Sequence, residues 1–311
     1  MTKQINKLIV IPLLIAFLCL CIACSQAGDA SDAFYFTLKD GLGREVNLAS
    51  AAKRIVSLAP PNTEMLFAVG AGSQVVGRDT FSDFPAEVKE ISDVGGSFGE
   101  YDLETILSLQ PDLVLAGGIN TPELVQSLED LGLKVFYLSN PTDLEGMYAL
   151  LETIGKLSGH DAKAAGLIET LKERVEQVTN QLAGITSRPT VFYELDATDP
   201  TKPFTPGANT FYTSLIQLAG GENIAGELEA EWAQISLEQL LTWDPEVILL
   251  GDAMWGETPE KVAAREGWGV LTAVKNGKVY AFDDNLMVRI GPRQVDGLEA
   301  LARLLHPKAF Q

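Results

Sequence analysis

Short runs of consecutive apolar residues recur along the chain, and most of them follow a stretch with helical periodicity. Residues 113–116 and 247–250 are each entirely apolar, and each run ends at a glycine. A run of this length without polar positions is typical of a parallel strand that is buried on both faces. Further short strands are predicted at residues 54–58, 134–138, 190–194 and 278–282. Strands that alternate with helices in this way predict an α/β protein.

The chain also contains an internal repeat. Residues 102–117 align without gaps with residues 236–251, and six of the sixteen positions are identical. Each copy begins with a residue suited to capping a helix, Asp102 or Ser236, and ends in the apolar run. The offset of 134 residues is too long for a solenoid repeat. The repeat therefore predicts two similar lobes, each with a central, mostly parallel sheet flanked by helices.

One long amphipathic segment separates the two copies. Between residues 161 and 183, apolar residues recur at helical spacing with charged residues between them, and proline is absent. We predict one helix of about twenty residues, roughly 30 Å long, that joins the lobes rigidly. The predicted domains are a signal peptide at 1–24, a tether and N-terminal segment at 25–44, an N-terminal lobe at 45–157, a connecting backbone helix at 158–186 and a C-terminal lobe at 187–311.

The N-terminus has the pattern of a targeting segment. Lys3 and Lys7 precede seventeen uncharged, mostly apolar residues, 8–24, as in a secretory signal. A permanent transmembrane anchor is the alternative, although seventeen residues is at the bottom of the spanning range. The run ends Cys-Ile-Ala-Cys-Ser, which resembles a bacterial lipoprotein box with Cys24 as the lipidated residue. This resemblance predicts a chain that is lipid-anchored on the outer face of the cytoplasmic membrane or on the periplasmic side.

Composition and charge narrow the function further. The chain has 311 residues, with 23 Lys and Arg against 42 Asp and Glu, for a net charge of −19. This acidity argues against nucleic acid or an anionic lipid surface as the main partner. Only two histidines occur, His160 and His306, and all three cysteines lie within the first 24 residues. We therefore predict no metal site, no disulfide in the folded body and no cofactor of the protein's own.

Several segments, taken in chain order, resemble one family. These are residues 57–72, 110–116, 219–224, 289–293 and 296–297. They are similar to the class III, helical-backbone substrate-binding proteins of ABC transporters, which capture cobalamin, ferric siderophores or haem. The resemblance implies a monomer that holds a small-molecule ligand in a cleft between its lobes. It also implies an extracytoplasmic location and delivery of the ligand to a permease dimer with its ATPase.

The same resemblance implies that each lobe docks on the permease through one surface carboxylate. By position in the family pattern, these carboxylates are Glu64 in the first lobe and Glu222 in the second. Exposed ion pairs contribute only about 0–1 kcal/mol each, so such a pair would set orientation more than affinity. The alternatives are that Glu64 only favours a helix N-terminus and that Glu222 is an ordinary loop acid.

The ligand-binding residues are expected in loops at the carboxyl ends of the strands. Aromatic rings there would offer flat apolar area, and arginines could meet carboxylates, phosphate or chelating oxygens. The candidates are Arg78, Phe81, Phe98, Tyr193, Phe211, Trp232, Trp255 and Arg289. Of these, the resemblance places Phe81, Phe98, Trp232 and Arg289 at binding positions of the cobalamin binders. We expect a corrinoid as the transported ligand, with a ferric siderophore or haem as the alternative.

Two other classes of function are weighed against transport. An enzyme is disfavoured because neither His160 nor His306 is placed for a catalytic triad, and because no nucleophile elbow, P-loop or dinucleotide fingerprint occurs. Paired acids such as Glu194 and Asp196 are expected by chance in so acidic a chain. A tethered sensor or interaction module could use the same cleft, and neighbouring permease and ATPase genes would distinguish it from a transport component.

Overall fold

The computed structural model describes residues 36–96 and 100–311. The predicted signal peptide, with Cys24, and the ring of Phe98 therefore lie outside the described residues. The chain divides into two compact units, residues 1–37 with 47–50, and residues 38–46 with 51–311. The connecting helix, the C-terminal lobe and all of the predicted N-terminal lobe except residues 47–50 belong to the second unit. None of the described helices is long and apolar enough to cross a membrane.

Strands and helices alternate along most of the described chain. The strands are β1 Phe36–Lys39, β2 Glu45–Leu48, β3 Ile55–Ser57, β4 Val75–Arg78, β5 Ser92–Asp93, β6 Leu113–Gly117, β7 Val135–Leu138, β8 Thr190–Glu194, β9 Phe204–Pro206, β10 Glu222–Asn223, β11 Trp232–Gln234, β12 Val247–Leu250 and β13 Val279–Ala281. The α-helices are α1 Pro60–Ala68, α2 Leu103–Ser108, α3 Pro122–Asp130, α4 Leu144–Ser158, α5 Asp161–Leu182, α6 Phe211–Leu218, α7 Leu237–Trp243, α8 Pro259–Ala264, α9 Thr272–Lys275, α10 Asn285–Val288 and α11 Arg293–Leu305. Short 3₁₀ turns lie at Gly72–Gln74, Ala86–Glu90, Gly251–Trp255, Trp268–Val270 and Pro307–Phe310.

The first lobe is built on a five-stranded sheet in the order β5-β4-β3-β6-β7. All of its strand pairs are parallel. Every residue of β6 is buried, as expected for a central strand that is covered on both faces. The continuous apolar run that predicted this strand therefore reflects burial on both faces of the sheet.

The second lobe repeats this arrangement with four parallel strands in the order β10-β8-β12-β13. Its central strand β12 is likewise buried at every residue. Strands β9 and β11 pair antiparallel in a separate two-stranded sheet, and so do not extend the main one. The predicted α/β fold, with two similar lobes of mostly parallel sheet, is confirmed. The exact lobe boundaries given above stay predictions.

The internal repeat is visible in the local structure. Asp102 caps α2 by accepting from the Thr105 backbone N–H at 2.9 Å, and Ser236 caps α7 in the same way through Gln239. Gln110 and Asp244 occupy equivalent positions just before the proline of each copy, and both have positive φ, +47° and +45°. Left-handed backbone normally favours glycine. The same unusual turn has therefore formed in both lobes between the helix and the buried strand.

Helix α5 joins the lobes, as predicted, and ends one residue earlier than the sequence pattern suggested. Its 22 residues correspond to about 33 Å. The helix packs against α4 of the first lobe and α11 of the second. Arg174 on α5 donates to Glu299 at 2.8 Å and to Asp296 at 2.6 Å, both on α11. These contacts attach the connecting helix firmly to the second lobe.

Candidate functional site

A cleft of about 450 Å³ is lined by residues of both lobes. In the first lobe, the lining comes from the segments that follow β3, β4, β6 and β7, at the carboxyl edge of the sheet. Ligands of open α/β sheets characteristically bind at this edge. In the second lobe, the lining comes from residues 209–212, 231–232 and 287–290. The volume lies within the usual range for small-molecule sites.

Aromatic rings form a large part of the cleft wall. Phe81 from the first lobe and Trp232 from the second are 42% and 53% exposed, which is unusual for rings of this size. Phe211 and Tyr212 also line the cleft but are nearly buried. The Tyr212 and Trp232 rings meet edge to face with their centroids 5.8 Å apart. The two lobes thus present accessible apolar faces to the same space.

A partly buried carboxyl group, that of Asp284, supports this wall from behind. Tyr193 and Tyr212 both donate their hydroxyl hydrogens to Asp284 Oδ1, at 2.8 and 2.9 Å. Burial raises the pKa of both tyrosine hydroxyls well above the ordinary value, so both remain protonated donors. Tyr193 itself is fully buried and does not line the cleft. The Tyr193 ring packs edge to face on Tyr212, with the centroids 4.9 Å apart, so in this structure Tyr193 supports a lining residue and its contact with ligand stays a prediction.

Four charged residues connect the lobes beside the cleft. We call Glu64 and Asp83 of the first lobe, with Arg289 and Arg293 of the second, the inter-lobe ion cluster. Arg293 donates to both Glu64 oxygens, at 2.8 and 2.6 Å, and Arg289 Nη1 donates to Glu64 at 3.1 Å. Arg289 also donates to Asp83. The Glu64 side chain is only 3% exposed.

This cluster bears on the docking role expected for Glu64, which stays a prediction. A carboxylate that is buried and held by two guanidinium groups of its own chain is not a surface acid available to a permease arginine. Arg289 does line the cleft, but its positive charge is already balanced by two carboxylates. Apart from Arg289, Glu231 is the only residue with a formal charge among the lining residues. The described cleft is therefore apolar and nearly neutral.

A small polar network fixes the loops at the cleft floor, and its members were not singled out from the sequence. Tyr101 donates to the Leu58 carbonyl at 2.8 Å, and Asn120 donates to the Tyr101 hydroxyl at 2.7 Å. Asn120 also accepts from the Gly117 N–H at 2.8 Å. At Gly118, an added Cβ would come within 2.4 Å of the Asn140 amide. The only sequence signal that could have indicated this network is position, since residues 117–120 follow the apolar run of β6.

The cleft lies between two α/β lobes with parallel sheets, and the sequence that forms these lobes matches a known family. Residues 55–286 match the periplasmic binding protein family. The chain belongs to this family. Family membership places it among solute-binding proteins, in agreement with the resemblance noted in the sequence.

Individual relatives of this periplasmic binding protein carry more specific names. An uncharacterized ABC transporter substrate-binding lipoprotein, YvrC of Bacillus subtilis, is 31% identical over 292 residues, covering 92% of this chain and 90% of that protein. The periplasmic vitamin B12 binding protein BtuF of Vibrio cholerae has a TM-score of 0.70 at 27% identity, covering 84% of this chain and 98% of that one. The periplasmic heme-binding protein RhuT of Roseiflexus sp. RS-1, in apo form, has a TM-score of 0.74 at 26% identity, covering 83% and 100%.

Two predicted binding residues of this periplasmic binding protein lie away from the cleft. The Arg78 guanidinium donates to the carbonyls of Val88, Asp79 and Thr80 and to the Asp93 carboxylate, so it holds its own loop together. Trp255 is 75% exposed and lines a separate pocket in the second lobe. In this structure neither residue lines the cleft, because the sequence shows that both follow strands but not where their side chains point, and their contact with ligand stays a prediction.

The remaining predicted residues are placed as follows. Phe81, Phe211, Trp232 and Arg289 are brought together in the cleft, and their contact with ligand stays a prediction. Phe98 lies outside the described residues. Glu222 is exposed on the edge strand β10, where its backbone N–H donates to the Pro189 carbonyl at 3.0 Å. Its position is compatible with docking, which also stays a prediction.

Proposed function

We propose that this chain is the extracytoplasmic solute-binding component of an ABC importer, that it captures a corrinoid in the cleft, and that it delivers the ligand to a permease dimer with its ATPase. The observation that carries the proposal is the nearly neutral cleft between the lobes, with exposed aromatic rings on both sides. A large, weakly charged macrocycle is complementary to such a surface because it buries flat apolar area against the rings. The family membership and the relative named for vitamin B12 binding support the same assignment.

The charge balance of the cleft favours a corrinoid over a ferric siderophore that carries several negative charges, such as a catecholate complex. Iron chelates with several negative charges need cations that are free to pair with them. Arg289 is the cation of the described lining, and Glu64 and Asp83 already neutralise it. Such a chelate would have to displace these carboxylates, whereas a neutral corrinoid would not.

Haem is the second candidate, supported by the likeness to the heme-binding protein of Roseiflexus. Haem iron generally takes an axial ligand from a His, Cys, Met or Tyr side chain. Tyr212 and Met287 are the residues of these types in the described lining. The Tyr212 hydroxyl is bound to Asp284, and Met287 is fully buried. Haem binding would therefore require one of these side chains to leave its place.

The internal repeat offers a better pair of docking carboxylates than Glu64 and Glu222. Glu104 and Glu238 are equivalent positions of the repeat, each two residues after the capping residue. Both are exposed, one in each lobe. Two equivalent acids on two similar lobes are complementary to a permease made of two equivalent subunits. Glu64 is buried in the inter-lobe ion cluster, and Glu222 is an exposed acid without an equivalent in the aligned repeat.

Charge reversal distinguishes these acids. The double variant Glu104→Lys with Glu238→Lys should abolish ligand uptake by cells and leave ligand binding by the purified protein unchanged. Glu222→Lys is the matched control, because it is an equally large charge change at another exposed position of the second lobe. Uptake that survives the double reversal and fails in the Glu222 variant would overturn the assignment from the repeat.

Membrane attachment is proposed from the N-terminal sequence. Cys24 at the end of the apolar segment would carry the lipid, so that the mature protein is a tethered monomer beginning at Cys24. The lipoprotein relative from Bacillus subtilis supports this proposal. Cells that express the Cys24→Ser variant should release the protein from the membrane fraction and fail to incorporate labelled fatty acid into it.

The ligand is tested directly on protein that begins at Ser25. The protein is mixed separately with cobalamin, haem and ferric siderophores, desalted, and examined by absorbance for retained ligand. We expect retention of one cobalamin per chain, strongly reduced in Trp232→Leu. Trp255→Leu is the control, because it removes a similarly exposed tryptophan outside the cleft. Retention of haem or a siderophore in place of cobalamin would overturn the choice of ligand, and retention of none of them would overturn transport of this ligand class.

A further inference from the structure

A second pocket lies in the C-terminal lobe, and none of its lining residues belongs to the cleft. It encloses about 340 Å³ and is lined by Asp196, Thr198, Asp252, Trp255 and Glu257. These residues follow the carboxyl ends of β8 and β12, which are neighbours in the second sheet. Three carboxylates and one indole ring are thereby gathered around one small space. Neither the family nor the proposed transport function assigns a role to them.

Asp252 is the innermost acid of this pocket, and part of its carboxyl is unsatisfied. The residue is 6% exposed, and its Oδ1 atom has no hydrogen-bond partner among the described residues. The neighbouring acid, Glu194, is fully buried and accepts from Arg265 at 2.6 and 2.8 Å. A buried polar atom without a partner is costly and rare in folded proteins. Asp252 Oδ1 therefore still lacks a donor or a cation, while the Glu194 carboxylate adjoins the same carboxyl group.

The nearby cations are already engaged by other acids. Arg265 is shared between Glu194 and Glu257, which it reaches at 3.0 Å. Lys261 lies 3.6 Å from Glu257 and donates to the Gly256 carbonyl. Asp196 is exposed. Among the described residues, only Thr198 donates to its carboxylate, through its backbone N–H at 2.8 Å and its hydroxyl at 3.3 Å. The pocket thus has an unbalanced negative charge at Asp196 and, once its proton is lost, a second one at Asp252.

Trp255 indicates which kind of cation could neutralise these carboxylates. Its ring is 75% exposed at the pocket rim, at the end of the 3₁₀ turn Gly251–Trp255. An aromatic face beside carboxylates is the arrangement that recognises organic ammonium ions, because the ring attracts the cation while the acids neutralise it. Among the described residues, no three His, Cys, Asp or Glu side chains come close enough to hold a metal ion.

We propose that this pocket binds a small organic ammonium ion, which Asp252 and Asp196 hold by charge and Trp255 holds by its ring face. The bound cation supplies the partner that Asp252 Oδ1 lacks. Binding here is independent of the ligand in the cleft, because the two sites share no lining residue.

The proposal predicts a pH dependence that can be measured. Burial and the neighbouring Glu194 carboxylate raise the pKa of Asp252 to about 7. The other charged groups around this carboxyl are Glu257, Arg265 and Asp196, with Lys261 beyond Glu257. A proton on Asp252 competes with the cation, so binding should be stronger at pH 8 than at pH 6, on the two sides of that pKa.

The test uses isothermal titration of the protein beginning at Ser25 with choline. The control ligand is the uncharged carbon isostere of choline, in which a tert-butyl group replaces the trimethylammonium group. Choline should bind saturably at pH 8, and the isostere should not. Asp252→Asn and Trp255→Leu should each weaken choline binding by about tenfold, and Asp252→Asn should also remove the difference between pH 6 and pH 8.

Three results would overturn the proposal. These are the absence of saturable choline binding at pH 8, equal binding of the uncharged isostere, and unchanged choline affinity in both variants. Both substitutions are conservative for folding, since Asn keeps the shape of Asp and Trp255 is mostly exposed. An unchanged circular dichroism spectrum of each variant verifies that the fold is intact, so loss of choline binding cannot be attributed to unfolding.

Discussion

Substitution Glu64→Gln removes the central charge of the inter-lobe ion cluster while keeping the shape of the side chain. In the folded protein this carboxylate is 3% exposed and accepts three hydrogen bonds from Arg289 and Arg293. The glutamine would leave Arg293 without an anionic partner among the described residues, whereas Arg289 would keep Asp83. The substitution should therefore destabilise the folded protein and loosen the contact between the lobes.

The size of the effect follows from the burial of the partners. Removing one member of a fully buried ion pair costs about 3–5 kcal/mol. Arg289 and Arg293 keep 13% and 17% exposure, so water relieves part of the loss and about 2–3 kcal/mol is expected. For a chain of this length, a loss of this size lowers the melting temperature by roughly 5 °C.

Thermal unfolding followed by circular dichroism measures this change. Glu222→Gln is the matched control, since it alters an exposed glutamate of the second lobe and should change the free energy of unfolding by less than about 0.5 kcal/mol. Small-angle scattering should in addition show a larger radius of gyration for Glu64→Gln than for the control. Equal melting temperatures and equal scattering for the two variants would refute the role of the cluster in holding the lobes together.

Three further changes test other parts of the structure. Gly166→Ala, at an exposed position of α5 where an added Cβ meets nothing within 4 Å, should raise the free energy of unfolding by about 0.5–1 kcal/mol in urea titration; a decrease would contradict the regular helix there. Tyr193→Phe should cost about 1 kcal/mol in the same assay, because partly buried Asp284 loses one of its two tyrosine donors, and no change would mean that this bond is absent. The raised pKa of Asp252, about 7 against 3.8 for an unfolded chain, means that the folded state binds more protons between these values, so that stability falls as pH rises through this interval. Asp252→Asn should therefore gain stability over the unsubstituted protein as pH is raised from 5 to 8, and melting curves that shift in parallel over this range would exclude the buried carboxyl as the cause.

The elements of the fold were predictable because burial leaves a local trace in sequence. Strands β6 and β12 are covered on both faces, which requires an uninterrupted apolar run. Helix α5 was predictable because its buried positions, such as Ile168 and Leu171, recur at helical spacing. Because residues 102–117 and 236–251 are copies of one pattern, the sequence predicts two similar lobes even though it shows no tertiary contacts.

The site was predictable only in part, because its interactions join residues distant in sequence. Glu64 and Arg293 are 229 positions apart, and nothing near Glu64 indicates that an arginine of the other lobe covers it. Side-chain direction within a loop was equally hidden, so Arg78 and Trp255 were expected in the cleft with Phe81 and Trp232. The position of a loop after a parallel strand is fixed by topology, whereas the side of the loop that faces the cavity depends on contacts made across the lobe.

Helix α5, which Arg174 attaches to α11, has a consequence for how empty and loaded protein compete for the transporter. If this helix keeps the two lobes at a nearly constant separation, the distance between Glu104 and Glu238 would be the same whether the cleft is filled or empty. The proposed docking surface offered to the permease would then not change when ligand binds. Empty protein would then occupy the transporter as readily as loaded protein. Uptake at scarce ligand would fall when the binding protein is overproduced, and the cell would gain from keeping its copy number close to that of the transporter.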